Sequence, residues 1–245
     1  MGSYVHPWIG NDALQARMKI GILCCGHLSD TIAAEFGTYT DLYGAMLAGH
    51  GFDIDSFNVV DMEFPDSISQ ADGWLLTGSR FGVYDQQQFL APLQDFVRQA
   101  YDAHVPLVGI CFGHQLIAQA LGGRVEKFDG GWQVGRRDYA FDGLGDLSLH
   151  AWHQDQVIVP PTSARTIAKT EFCRYAGFRY EGSALSVQPH PEFATPIMRG
   201  LIGLRQDEGN YPDGVLDTAL SSLAGPVDNS SVAHMLADFL KTQQV

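Results

Sequence analysis

Between residues 19 and 121 short apolar runs alternate with helix-length amphipathic stretches, and this rhythm admits few architectures. Residues 19–25 (KIGILCC) read as a buried strand, and a polar loop separates them from a helical segment at 39–50. Residues 52–60, entered from Gly51, form the next expected strand, and 71–78 (ADGWLLTG) the third. Residues 86–103 combine good helix formers with apolar residues at 89, 90, 93, 96, 97 and 100, a near-helical period. Residues 105–110 (VPLVGI) predict a fourth strand running straight into a helix at 114–121, which Gly122 and Gly123 end. Parallel strands need crossovers, and helical crossovers lie on the sheet's faces, so the pattern implies an α/β fold with a mostly parallel central sheet covered on both sides.

After residue 124 the rhythm changes. Strand-like pieces broken by Gly and Pro (RVEKF, WQVGRRDYAF, LSLHAWH, ARTIAKT, CRYAGFRYEG, ALSVQ) fill 124–188 and predict an antiparallel β extension. No linker-like stretch divides the two parts, so one domain spanning 18–245 is expected. Residues 196–205 and 231–242 read as closing helices, with the Gly-, Asp- and Asn-rich stretch 206–230 on the surface. Residues 1–17 precede the first strand and are expected to lie outside the core, as a tag or a disordered terminus.

At 45% hydrophobic residues, the 245-residue chain has enough apolar side chains for a full core. Fifteen Lys and Arg against 28 Asp and Glu leave a formal charge of -13 with no basic run. Nucleic acids and anionic membranes draw most of their affinity from clustered Lys and Arg, so a small-molecule substrate is expected instead. No apolar stretch approaches the roughly 18 residues of a membrane span, and the N-terminus lacks the charged start and apolar core of a signal peptide, which points to the cytoplasm. Cys24, Cys25, Cys111 and Cys173 are too few and too irregularly spaced for a disulfide framework. His150 and His153 sit in a strand-like stretch where their spacing turns them to opposite sides, so no metal is expected, and no cofactor is implied.

The string 108–115 (VGICFGHQ) carries the strongest chemical signal. Gly109 and Gly113 flank Cys111 two positions away on either side, between an apolar run and a helix, which is the sequence form of a nucleophile elbow. The tight turn leaves no room for side chains at the flanking positions. At the positive end of the following helix, Cys111 is placed where thiolate is favoured over thiol. A thiolate nucleophile needs a proton acceptor, and the acceptor needs an orienting partner. Residues 186–193 (SVQPHPEF) offer both, because in extended chain His190 and Glu192 point the same way.

Together, Gly-Ile-Cys-Phe-Gly-His-Gln and the later His-Pro-Glu resemble the class I (triad-type) glutamine amidotransferases, particularly the stand-alone branch similar to the amidotransferase domain of GMP synthetase. The resemblance implies a flavodoxin-like α/β sandwich. It makes Cys111 the nucleophile toward a glutamine side-chain amide, His190 the general acid and base, and Glu192 the group orienting His190. The oxyanion hole it implies is formed by the backbone N–H groups of Phe112 and Ser79. The string 77–80 (TGSR) departs from the family's Gly-Gly-Pro form, with Ser79 and Arg80 in place of the second Gly and the Pro. Gly78, Gln115, Gln154 and Asp155 are the implied substrate contacts. Trp152-His153-Gln154-Asp155 is similar to the family's Ser-His-Gly-Asp, but Trp152 replaces a small residue and Gln154 a glycine. Trp132, in a Gly-rich turn, is expected either to line the pocket or to join the core.

Three functions compete. The first is a glutaminase whose ammonia passes to a separate acceptor enzyme, because about fifty residues after His190 leave no room for a synthetase domain and the sequence holds no Walker-type string. The second is a γ-glutamyl hydrolase or peptidase with water as acceptor, favoured by the substitutions at Ser79, Trp152 and Gln154. The third, a non-catalytic scaffold, has no physical need for Cys111, His190 and Glu192 together.

Overall fold

The computed structural model describes residues 17–206 and 211–244, so the expectation for the N-terminal segment falls, apart from Arg17, outside the described residues. In chain order the elements are β1 (Met18–Leu23), α1 (Asp30–Phe36), α2 (Tyr39–Met46), β2 (Phe52–Phe57), β3 (Gly73–Leu76), α3 (Leu90–Asp102), β4 (Leu107–Ile110) and α4 (Phe112–Ala120). They continue with β5 (Arg124–Lys127), β6 (Gln133–Phe141), β7 (Gly145–His153), β8 (Asp155–Val159), β9 (Ala164–Lys169), β10 (Gly177–Tyr180) and β11 (Ala184–Val187). Three helices close the chain: α5 (Thr195–Arg205), α6 (Val215–Ser222) and α7 (Asn229–Thr242). None of the described helices is long and apolar enough to cross a membrane.

One sheet of order β2-β1-β3-β4-β11-β10-β9-β6-β7 runs through the molecule, beside a small β5-β8 ladder. From β2 to β11 the pairs are parallel, and from β11 to β7 they are antiparallel. Side chains alternate across the parallel strands: Ile20, Ile22, Leu75, Val108 and Ile110 face α2 and α7, whereas Trp74, Leu76 and Leu107 face α3 and α4. Gly21 is a glycine for a steric reason, since a Cβ there would stand 2.1 Å from the Trp74 ring.

Residues 184–188 were expected within the antiparallel extension, but β11 instead pairs parallel with β4, Ala184 opposite Leu107 and Val187 opposite Ile110. Four buried residues without polar side-chain alternation suit a central strand, and that position decides the site. With β3, β4 and β11 side by side, all three deliver their following residues to one end of the sheet, the carboxyl end where open α/β sheets bind ligands. The stretch 206–230, expected at the surface, contains α6, which packs Leu216 and Ala219 into an apolar cluster with α5.

Candidate active site

Cys111 sits between β4 and α4 at φ 53°, ψ -102°, a left-handed backbone that a non-glycine residue adopts only under constraint. Its N–H donates to Val187 O at 2.9 Å, and the Gly113 N–H donates to Thr77 O at 3.2 Å, tying the turn to β11 and to the end of β3. The two glycines are required by these close approaches. A Cβ on Gly109 would meet Gly113 backbone at 2.5 Å, and one on Gly113 would meet Leu76 O at 2.4 Å.

His190 leaves β11 three residues after Val187 and forms an antiparallel bridge to His150, its N–H donating to His150 O at 2.9 Å. Its Nδ1 lies 2.6 Å from Glu192 Oε1, with both residues buried. The other ring nitrogen, Nε2, has no hydrogen-bond partner among the described residues. Burial alone lowers the affinity of this imidazole for a proton, but the charge of Cys111 and then that of Glu192 hold its pKa well above the ordinary value. Phe193 stacks on the ring face at 4.5 Å and 7°, which fixes the ring plane.

Sequence reasoning missed two neighbours. Tyr43, fully buried on α2, donates its hydroxyl proton to Glu192 Oε1 at 2.8 Å and accepts the Gly78 N–H at 2.9 Å. Burial, and next the charge of Glu192, keep this phenol well above its ordinary pKa, so it remains a donor. Gln188, at the end of β11, approaches the Cys111 sulfur with Nε2 at 3.5 Å and accepts from Gln115 at 3.1 Å. Tyr43 lies 149 positions from Glu192 in a segment readable only as helix, and no local pattern flags it.

Phe112 opens α4, so its N–H has no acceptor within the helix and is available beside Cys111. Ser79 follows β3 and lines the same cleft as Phe112, its Oγ accepting the Phe81 N–H at 3.2 Å. Gly78, anticipated as a substrate contact, packs close to His190 and spends its N–H on Tyr43. Gln115 also lines the cleft while donating to Asp155 O at 2.8 Å. Gln154 reaches Phe128 O at 3.5 Å, and Asp155 Oδ2 accepts the Tyr84 hydroxyl at 2.9 Å. Burial raises the Asp155 pKa. The cleft that joins these residues to Cys111 and His190 has a volume of about 860 Å³, and Trp132 and Trp152 line it.

The sequence model of class-I glutamine amidotransferases matches residues 45–198, more than half of the chain and the whole distance from α2 to His190. The chain belongs to the class-I glutamine amidotransferase family. Among its relatives, gamma-glutamyl peptidase 2 of Arabidopsis thaliana is 27% identical over 87% of this chain and 92% of its own length. The glutamine-hydrolysing GMP synthase of Thermus thermophilus is 33% identical over 66% of this chain but only 37% of the synthase. A glutamine amidotransferase of known structure from Thermotoga maritima shares the fold, with a TM-score of 0.72 at 20% identity over 93% of this chain and 97% of that one. This amidotransferase fold explains why the elbow, the loop after β3 and the His-Pro-Glu turn converge, since each follows one of three adjacent parallel strands.

Proposed function

We propose that the protein hydrolyses γ-glutamyl amide bonds through a thioester on Cys111. The observation that carries this reading is the buried His190–Glu192 pair beside a strained elbow cysteine, with the unpartnered His190 Nε2 left for chemistry. The Cys111 thiol proton resides on His190, and the thiolate sulfur attacks the amide carbon, forming the C–S bond as the carbonyl electron pair moves onto oxygen. The N–H groups of Phe112 and Ser79 receive that oxyanion, a type of stabilisation worth about 3 kcal/mol per donor. Collapse breaks the C–N bond while His190 passes its proton to the departing nitrogen. Water then attacks the thioester, His190 accepts its proton, and the sulfur leaves as the acid forms. Glu192 keeps Nδ1 protonated and the ring aligned throughout.

With glutamine the products are glutamate and ammonia, and a separate acceptor enzyme is the natural consumer of that ammonia. The same steps on a γ-glutamyl conjugate release an amine and need no acceptor but water. The second reading is favoured by the wide cleft, by Trp152 and Gln154 where the family resemblance implies small residues, and by the near full-length likeness to a protein named as a gamma-glutamyl peptidase. Ammonia and amine release from glutamine and from a panel of γ-glutamyl amides, beside a Cys111→Ala control, separates them. Turnover of glutamine above all other amides supports the first, and turnover of a conjugate with negligible glutaminase supports the second. Release that persists in Cys111→Ala contradicts both.

A further inference from the structure

We propose that Trp132, Trp152 and Tyr211 form a subsite for an aromatic ring carried on the amine half of a γ-glutamyl amide, an inference that rests on the γ-glutamyl reading above. The leaving nitrogen has to lie within reach of His190 Nε2, because that atom supplies its proton. One face of the His190 ring is covered by Phe193, and Phe193 belongs to the apolar cluster on which Trp132, Trp152 and Tyr211 pack. One apolar cluster therefore both backs the acid that releases the amine and supports the three rings. The backbone that carries Trp152 borders the nucleophile, Cys111 Sγ lying 3.9 Å from the Trp152 carbonyl oxygen.

The three rings hold one another in place. The Trp152 indole N–H donates to the Tyr211 hydroxyl at 3.0 Å, the two rings meeting edge-on at 86° and 5.9 Å. Tyr211 in turn lies 4.6 Å from the Trp132 ring. Each ring is only partly buried and borders the cleft. A wall already ordered in the free protein has little rotamer freedom left to lose on binding. The same cleft is also lined by Arg80, Tyr84, Lys127 and Asp155, which suit the charged amino-acid end of a γ-glutamyl group. Ammonia adds only about the 30 Å³ of one water molecule to the γ-glutamyl group, so glutamine leaves part of a cleft of about 860 Å³ unfilled. A ring on the amine fills it with edge and face contacts to the aromatic wall.

The test compares γ-glutamyl phenethylamide with γ-glutamyl ethylamide, whose amines differ in the ring but are both simple alkylamine leaving groups. The expected result is a kcat/KM at least about tenfold higher for the aromatic amide in the wild type, falling toward parity in Trp132→Leu. A parallel measurement that needs no variant is competitive inhibition by the free amines, phenethylamine being expected to inhibit about tenfold more tightly than ethylamine. Equal kcat/KM for the two amides, equal inhibition by the two amines, or a preference undiminished in folded Trp132→Leu overturns the subsite. Equal kcat/KM with robust turnover leaves the γ-glutamyl reading intact. No turnover of either amide or of glutamine overturns both.

Discussion

Tyr43 ties two parts of the site that the sequence presents as unrelated. Its hydroxyl donates to the carboxylate that orients His190 and accepts from the loop that carries Ser79. A hydrogen bond to a charged group is worth about 1.5–3 kcal/mol, so Tyr43→Phe is expected to lower kcat roughly tenfold or more while KM moves little. Steady-state kinetics checks this, and an unchanged kcat refutes the role. The same variant leaves the Glu192 carboxylate with one donor fewer and hence a stronger partner for protonated His190, so the alkaline limb of the kcat/KM profile is expected to move to higher pH. Glu192→Gln removes the charge and is expected to move that limb down, with a loss in kcat of about 100-fold or more. Cys111, His190 and Glu192 were legible because each lies in a short motif whose spacing has a steric or stereochemical reason. Tyr43 and Gln188 were not, because their roles arise only when distant strands and helices meet.

At the scale of elements, the elbow rests on glycines. Helix propensity alone favours Ala over Gly within α4, yet a Cβ on Gly113 would stand 2.4 Å from Leu76 backbone oxygen, which cannot move without disrupting β3. Gly113→Ala is therefore expected to destabilise the fold by about 1–3 kcal/mol, read from the urea midpoint, where propensity by itself predicts a gain. The strands and long helices could be read from periodicity, but β8, α1 and α6 could not. β8 follows β7 after Gln154 alone and joins a separate ladder with β5, so no turn signal divides the two strands. The short helix α1 buries only Ile32, and α6 is entered from Gly214 at φ 78° within a Gly- and Asp-rich stretch, so neither displays a full apolar stripe. The direction of β11 was equally hidden, because a short apolar strand reads the same whether its neighbour runs parallel or antiparallel.

Over the whole molecule, burial of neutral histidines links stability to pH. His114 and His153 are both pushed down to about 3, chiefly by burial. Their unfolded values lie near 6.5, so between those limits the unfolded chain binds more protons, and stability is complete above about pH 6.5 and falls as the pH drops toward 3. The slope is about 1.4 kcal/mol per pH unit for each histidine. His190, held above its ordinary value, acts in the opposite sense: its contribution is fully present below about pH 6.5 and is lost as the pH rises toward its folded value, so the loss on acidification belongs to His114 and His153. Urea midpoints measured near pH 7 and near pH 5 are expected to show the loss, and His114→Gln to reduce it; equal midpoints refute the assignment. The nine-stranded sheet brings Cys111 and His190 to one carboxyl-terminal edge, where the proposed covalent chemistry on a γ-glutamyl carbonyl takes place. The most direct test is acid quenching of the enzyme during turnover of glutamine or a γ-glutamyl amide, followed by peptide mass spectrometry. The expected result is one γ-glutamyl group on the Cys111 peptide, absent in Cys111→Ala. Turnover with no adduct on Cys111, or an adduct on another residue, contradicts it.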